Sequence, residues 1–513
     1  MQRIHDIYRP KDERKGDWRE VEVMLPPDEL AEQTSRCMNC GQPFCHAYGC
    51  PLGNLIPDQN RAVAQGDWRR AYALLSAHSD FPEFTSRICP ALCEASCVHG
   101  LDDEAVMIRQ SEKRIIETAF VNGWVVPRPP KAENGKKAVV IGAGPSGLSA
   151  AVTLRRGGWS VTVYERRHDI GGLLRYGIPC FKLDKALIDR RRKVLEAEGI
   201  RFVTDVEIGK DISAEWLARS NDAVVVAIGT PAARDLRIPG RKLGGIHLAL
   251  ELLEGQNRYL TGELDAPPID AKGKDVLVIG GGDTGSDCVG TAIRHGAASV
   301  TQIEIMPRPP DVRDASTPWP LWPYMLRTSS SHKEGCERRW NLNSLRFVEG
   351  PKSKVEGPKS SKVEGLKSKV EGRRSKVESR ESKVEGPKSE GESPDADNPS
   401  TLQPFNPSTS RPAVAGVEVE TVEWEFSPEG RPLKFKAVPG TKETIKADLV
   451  FLAMGFTGVP TDNPIVSQLG LAQTPRTALV PAPERGIYCV GDCASGASLV
   501  VRALASGKNI PLK

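Results

Sequence analysis

Seven of the chain's twelve cysteines fall into two runs, Cys37-x2-Cys40-x4-Cys45-x4-Cys50 and Cys89-x3-Cys93-x3-Cys97. Thiolates at such short spacing converge on a soft metal centre, and a thiolate from a distant run can complete four-fold ligation. Seven sulfurs are one short of two four-thiolate sites. The residues alone leave a structural zinc site and buried, unligated thiols as alternatives. Pro51 after Cys50 and Pro90 after Cys89 favour iron–sulfur ligation, in which cysteine–proline steps recur.

A second kind of chemistry lies in two glycine-rich loops. Gly142-Ala143-Gly144-Pro145-Ser146-Gly147 follows the apolar run AVVI and precedes LSAAVTL, and Glu165 stands at the end of the next strand pattern. Glycines there close the turn and let a pyrophosphate approach the backbone at a helix N-terminus, while the acid accepts from a ribose hydroxyl. Gly280-Gly281-Gly282-Asp283-Thr284-Gly285 is framed in the same way. Its second strand runs into QIEIMPRPPDVR, where Glu304 favours NADH while Arg308 and Arg313 favour NADPH. The balance leans to NADPH, with a solvated surface charge as the alternative for each arginine.

Downstream segments are similar to the later FAD contacts of disulfide-reductase-like flavoproteins: GGLLRYGIP at 171–179, with Gly172 and Arg175, and GIYCVGDCASGASLVV at 486–501, with Gly491 and Asp492. That similarity implies FAD in the first fold. It sets Asp492 against the ribityl chain and aims a helix starting near Ala497 at the flavin.

These groups need elements to hold them. Residues 1–130 show apolar residues at three- and four-residue steps, as in IPDQNRAVAQGDWRRAYALL, and no strand series, which predicts a helical domain. After the linker VPRPPKAENG, the two strand–loop–helix–strand units predict an α/β fold with two doubly wound dinucleotide-binding domains. The expected division is 134–270 plus 456–513 for FAD and 271–455 for NADPH. AVVVAIGT (223–230) and DLVFLAMGFTG (448–458) are the expected crossings between them. Residues 351–394 repeat SKVE among glycines and prolines and are expected to be a disordered insertion, because one valine per repeat buries almost nothing. It would interrupt a hairpin between LRFVEG and GVEVETVEWEF.

At 513 residues the chain is too long for a single small module, and a net charge of +4 is too small for a dedicated nucleic-acid binder. No apolar run reaches the roughly 18 residues that cross a bilayer, and the opening MQRIHDIYRPKDERKGDW lacks a signal-peptide core. A cytoplasmic protein without a membrane or nucleic-acid partner is expected.

GDWREVEVMLPPDELAEQTSRCMNCGQPFCH, GCPLGNLIPDQNRAV, FPEFTSRICPALCEASCVHG and RTSSSHKEG together resemble the small (beta) subunit of glutamate synthase, a family related to the amino-terminal part of dihydropyrimidine dehydrogenase. The resemblance implies FAD, NADPH and two 4Fe-4S clusters. Carried over by position, Cys37, Cys40, Cys45 and Cys97 hold one cluster, while Cys50, Cys89, Cys93 and Glu112 hold the other. Glu112 by itself reads as a solvated helix charge. The implied role is electron input from NADPH to a large (alpha) subunit that makes glutamate from glutamine and 2-oxoglutarate, with no side-chain acid or base in the hydride step. The same module serving a pyrimidine reductase or ferredoxin is the alternative. A thioredoxin-reductase-like enzyme would need a redox CxxC outside the first cysteine run, and there is none. Three features depart from the family pattern: the SKVE tract; the last helix VVRALASGK, where Arg502 and Ser506 stand in place of a tryptophan and an acid; and an end at Lys513 somewhat earlier than the pattern leads one to expect.

Overall fold

The computed structural model describes residues 2–350, 412–427 and 430–511, so the tract at 351–394 lies outside the described residues. The first 130 residues form helices, chiefly Pro27–Ser35, Ile56–Ala64, Trp68–His78, Pro82–Ile88 and Ile108–Val121. Several open on a proline in the first turn, where a missing N–H costs nothing. Asp67 caps another by accepting from the Arg70 amide at 3.0 Å. Leu30, Val63, Leu75, Ile115 and Ile116 make their shared core.

Two five-stranded parallel sheets follow. The first runs Ile487–Cys489, Ala223–Val226, Lys137–Ile141, Ser160–Tyr164, Arg201–Val203 in spatial order. The second runs Ile246–Leu248, Leu449–Leu452, Asp275–Ile279, Ser299–Ile303, Glu337–Arg339. Their central strands are apolar on both faces, as buried parallel strands must be. An antiparallel ribbon of Ala232–Ala233 with Phe456–Gly458 joins the domains, at the ends of the two expected crossings. Leu342–Glu349 pairs with Val414–Phe426, which places the expected hairpin partners side by side.

One boundary moves. Ile246–Leu248 pairs with Leu449–Leu452, and the helix Ala249–Leu260 packs in the core of the second sheet, so residues 246–260 belong there rather than before a division at 270/271. A three-residue strand carries too little alternation to be read from sequence. The helical region is fixed to both domains by buried charge. Glu83 accepts from Arg191 of the first domain at 2.5 and 2.8 Å. Glu334 of the second pairs with Arg14 at 2.8 Å and with Arg294 at 2.7 Å. Among the described residues no helix is long and apolar enough to cross a membrane.

Candidate functional site

The two glycine loops are built alike, and each glycine has a separate reason. In the first loop Gly142 has φ +104°, and a Cβ there would lie 2.5 Å from the Ala227 carbonyl oxygen. A Cβ at Gly147 would overlap the Gly142 carbonyl, so the third glycine lets the helix Pro145–Arg156 lie on its strand. The middle position is open: a Cβ on Gly144 meets only the Gly172 Cα, at 3.9 Å. In the second loop Gly280 has φ +123°, Gly285 would overlap the Gly280 carbonyl, and a Cβ on Gly282 meets nothing within 4 Å. Open middle glycines leave backbone N–H groups approachable by a pyrophosphate. The two acids match as well. Glu165 accepts from the Ala143 amide at 2.8 Å, and Glu304 from the Gly281 amide at 2.5 Å.

Around the first loop, Gly171 donates its amide to the Ala143 carbonyl at 2.9 Å, which folds the Gly171-Gly172 turn against it. Gly491 lies against Ser146 and donates its amide to the Ser506 hydroxyl at 2.9 Å. The departure at Ser506 thus supplies a hydrogen-bond acceptor. Asp492 accepts from the Ser498 hydroxyl at 2.8 Å, and burial pushes its carboxyl up. The helix expected near Ala497 begins at Val500, after a loop that ends at Leu499.

Arg175 does not face the loop. It is buried, donates to the Ile170 carbonyl at 2.8 Å and pairs with Asp169 and Asp189, so it braces its own turn. Arg313 is displaced too. Its guanidinium donates to the carbonyls of Thr317, Leu321 and Ala95, and so fastens its loop to the helical region. Arg308 stays at the sheet edge, paired with Asp311 at 2.6 Å. Asp283 and Thr284 open the helix Asp283–His295 behind Gly282, and Lys182 of the first domain pairs with Asp287 one turn on.

The cysteines divide between two cavities. Cys37, Cys40, Cys45 and Cys97 line one, with Phe44, Pro57 and Ile108 among their neighbours. Cys50, Cys89, Cys93 and Glu112 line the other, which encloses about 400 Å³ with its mouth included. The runs interleave because the π-helical turn Cys45–Gly49 ends against the second run. A Cβ at Gly49 would lie 2.7 Å from the Cys93 Cα. Burial, reinforced by neighbouring thiols, pushes the Cys45 thiol up to about 12, and burial pushes Cys89 up equally far. Burial also raises Glu112 to about 7, against the pull of the Thr85 hydroxyl that donates to it at 2.5 Å. Such thiols ionise only beside a strong cationic centre.

Among the described residues no three His, Cys, Asp or Glu side chains converge as the ligands of a single ion would. A cuboidal cluster puts each ligand on a different iron, so its ligands line a cavity instead of meeting at a point. The donor sets and cavities fit such a group. Val501, from the helix that follows Asp492, also lines the cavity holding Glu112.

Two dinucleotide folds joined by a ribbon, with a thiol-lined cavity beside the first, define a pyridine-nucleotide oxidoreductase preceded by an iron–sulfur-type domain. Residues 136–317 match the pyridine nucleotide-disulphide oxidoreductase family, and residues 14–124 match the dihydropyrimidine dehydrogenase domain II, 4Fe-4S cluster family. Over 510 residues the chain is 42% identical to the glutamate synthase (NADPH) small chain of Mycobacterium tuberculosis, covering 98% of this chain and 91% of that one. The corresponding Bacillus subtilis chain is 36% identical over 513 residues, with 97% and 92% covered. The glutamate synthase (NADH) of Schizosaccharomyces pombe is 38% identical over 526 residues, 99% of this chain and 22% of that protein. The chain belongs to the glutamate synthase small-chain family.

Proposed function

We propose that this chain is the electron-input subunit of a glutamate synthase, taking electrons from NADPH at the second loop and passing them to a large (alpha) subunit that makes glutamate from glutamine and 2-oxoglutarate. The observation that carries the relay is the cavity lined at once by Cys50, Cys89, Cys93, Glu112 and Val501, which sets a thiol-lined space directly against the first dinucleotide domain. Family membership supplies the overall reaction.

When bound, FAD accepts a hydride and returns its electrons singly, and iron–sulfur clusters carry single electrons onward. The chain's own residues position and insulate. Glu165, Gly144, Ser146 and Asp492 frame the FAD site, and Gly282, Asp283 and Glu304 the NADPH site. Cys37, Cys40, Cys45 and Cys97 would hold one 4Fe-4S cluster, and Cys50, Cys89, Cys93 and Glu112 the other. Ile108 lines both cavities and forms part of the apolar wall between them. A cytoplasmic location suits seven thiols that must stay reduced until metal binds them.

The test has two arms. The isolated chain should reduce an artificial acceptor with NADPH and form no glutamate until the large subunit is added; glutamate made by this chain alone would sink the assignment. Paramagnetic resonance should lose the same signal in Cys97→Ala as in Cys40→Ala, and a different one in Cys89→Ala. Matching losses for Cys97→Ala and Cys89→Ala would refute the interleaved ligands.

A further inference from the structure

The second domain carries an arginine that motif spacing does not single out. Its edge strand Glu337–Arg339 runs parallel to Ser299–Ile303, with Arg338 in register with Gln302. Trp340 follows at the C-terminal end of that strand. The Arg338 guanidinium lies 5.0 Å from the centre of the Trp340 ring, and that of Arg308 lies 5.8 Å from the same ring. Two cations therefore gather on one indole at the C-terminal edge of the sheet, beside the Glu304 that reaches back to the glycine loop.

Among the described residues Arg338 has no carboxylate partner; its guanidinium donates to the Arg327 carbonyl at 3.0 Å. Burial and the nearby Arg308 lower its affinity for its proton. Among the described residues Arg308 is paired only with Asp311, whose side chain is 71% exposed and free to swing away. Paired guanidinium groups repel unless an anion lies between them, and their planar forks match phosphate oxygens. Arg313, spent on three carbonyls, is not at this edge.

Resting on the NADPH reading above, we propose that Arg308 and Arg338, braced on Trp340, grip the 2′-phosphate and set the preference over NADH, and that Arg313 takes no part.

The full chain is titrated calorimetrically with 2′,5′-ADP and with 5′-AMP, which share the adenosine and differ at the 2′-phosphate. Arg338→Ala and Arg308→Ala should each weaken 2′,5′-ADP binding by about 10- to 100-fold, the size of a lost charge-assisted contact, and leave 5′-AMP unchanged. Arg338→Lys should recover part of the loss, and Arg313→Ala should leave the ratio of the two affinities where it was. Steady-state kcat/KM for NADPH over NADH should move in parallel. Unchanged 2′,5′-ADP binding in Arg338→Ala, or an equal loss of both ligands, overturns the inference while the NADPH reading stands. Equal binding of both ligands by the unaltered chain overturns the two together.

Discussion

In the first dinucleotide domain the C-terminal helix Val500–Lys508 lies along the loop helix Pro145–Arg156, close enough that a Cβ on Gly507 would overlap the Ser146 carbonyl and sit 2.9 Å from the Ala150 amide nitrogen. Glu165 in this domain is buried. In the second domain no such C-terminal helix lies along the loop helix among the described residues, and Gly282 and Asp283 are exposed. Both domains share a five-stranded parallel sheet, the glycine geometry and the acid that returns to the loop. What differs is the element packed beside the loop helix. The packed helix is expected to slow release of a nucleotide from the first loop, and the exposed second loop to allow faster exchange. A resident flavin and a turning-over nicotinamide need that asymmetry.

The openness of the second domain is confined to its mouth, and the largest expected effect checks this. Glu334 pairs with Arg14 and Arg294, and all three side chains are at most 5% exposed. Glu334→Ala would strand two buried guanidinium groups and cost about 3–5 kcal/mol by thermal or denaturant unfolding. A cost near zero would mean that the second domain is loosely held, and the contrast would become one of rigidity instead of cover.

Next comes the seal itself. Gly507→Leu should cost about 3 kcal/mol, because the obstruction is backbone that cannot rotate away, and the purified protein should retain less flavin. A variant as stable and as yellow as the unaltered chain would show that the helix does not seal the site.

Acid should find the second loop before the first. Gln302 donates to the Gly280 carbonyl at 2.7 Å and accepts from His332 Nε2–H at 2.8 Å, while His332 Nδ1 accepts from the Ser329 amide at 3.2 Å. A second proton on this ring would point Nδ1–H at another N–H. Burial and then the neighbouring Arg338 pull the imidazole down to about 4. Between that value and about 6.5, the ordinary value, the unfolded chain binds the extra proton and the folded one does not. Stability is therefore full above about 6.5 and falls as the pH drops toward 4, by up to about 3 kcal/mol. His332→Gln should flatten that slope. In the first domain the position in register with Gln302 is Val163, which has no amide to relay an imidazole's protonation to the loop carbonyl, so no counterpart of the His332 slope is expected there.

The smallest expected effect is Gly282→Ala. With nothing within 4 Å of the new methyl, stability should change by less than about 0.5 kcal/mol, while NADPH binding measured by titration weakens because the methyl stands where the pyrophosphate approaches. An unchanged affinity would remove Gly282 from the binding surface.

Much of this was legible in the chain. Glycine loops, flanking apolar runs and acids at strand ends are local patterns with a fixed period, so the two parallel domains and the roles of Gly142, Gly147, Gly280 and Gly285 could be read directly. Arg175 and Arg313 could not be placed, because an arginine takes whatever acceptors the fold brings nearest, and those came from Asp169, Asp189 and the carbonyl of Ala95, far away in sequence or hidden by a turn. Arg338 left no motif at all. Its meeting with Arg308 depends on the register of an edge strand.

Composition and spacing by themselves determined which chemistries the chain carries: soft thiols in two runs, two dinucleotide loops, and a helical region before them. Only the tertiary structure decided which thiols share a cavity, which loop lies under a helix, and which arginines stand together. The first set depends on residues a few positions apart, fixed by helix and strand geometry. The second depends on contacts such as Gly49 on Cys93 and Gly507 on Ser146, where distant backbone segments approach only because the glycine carries no side chain there.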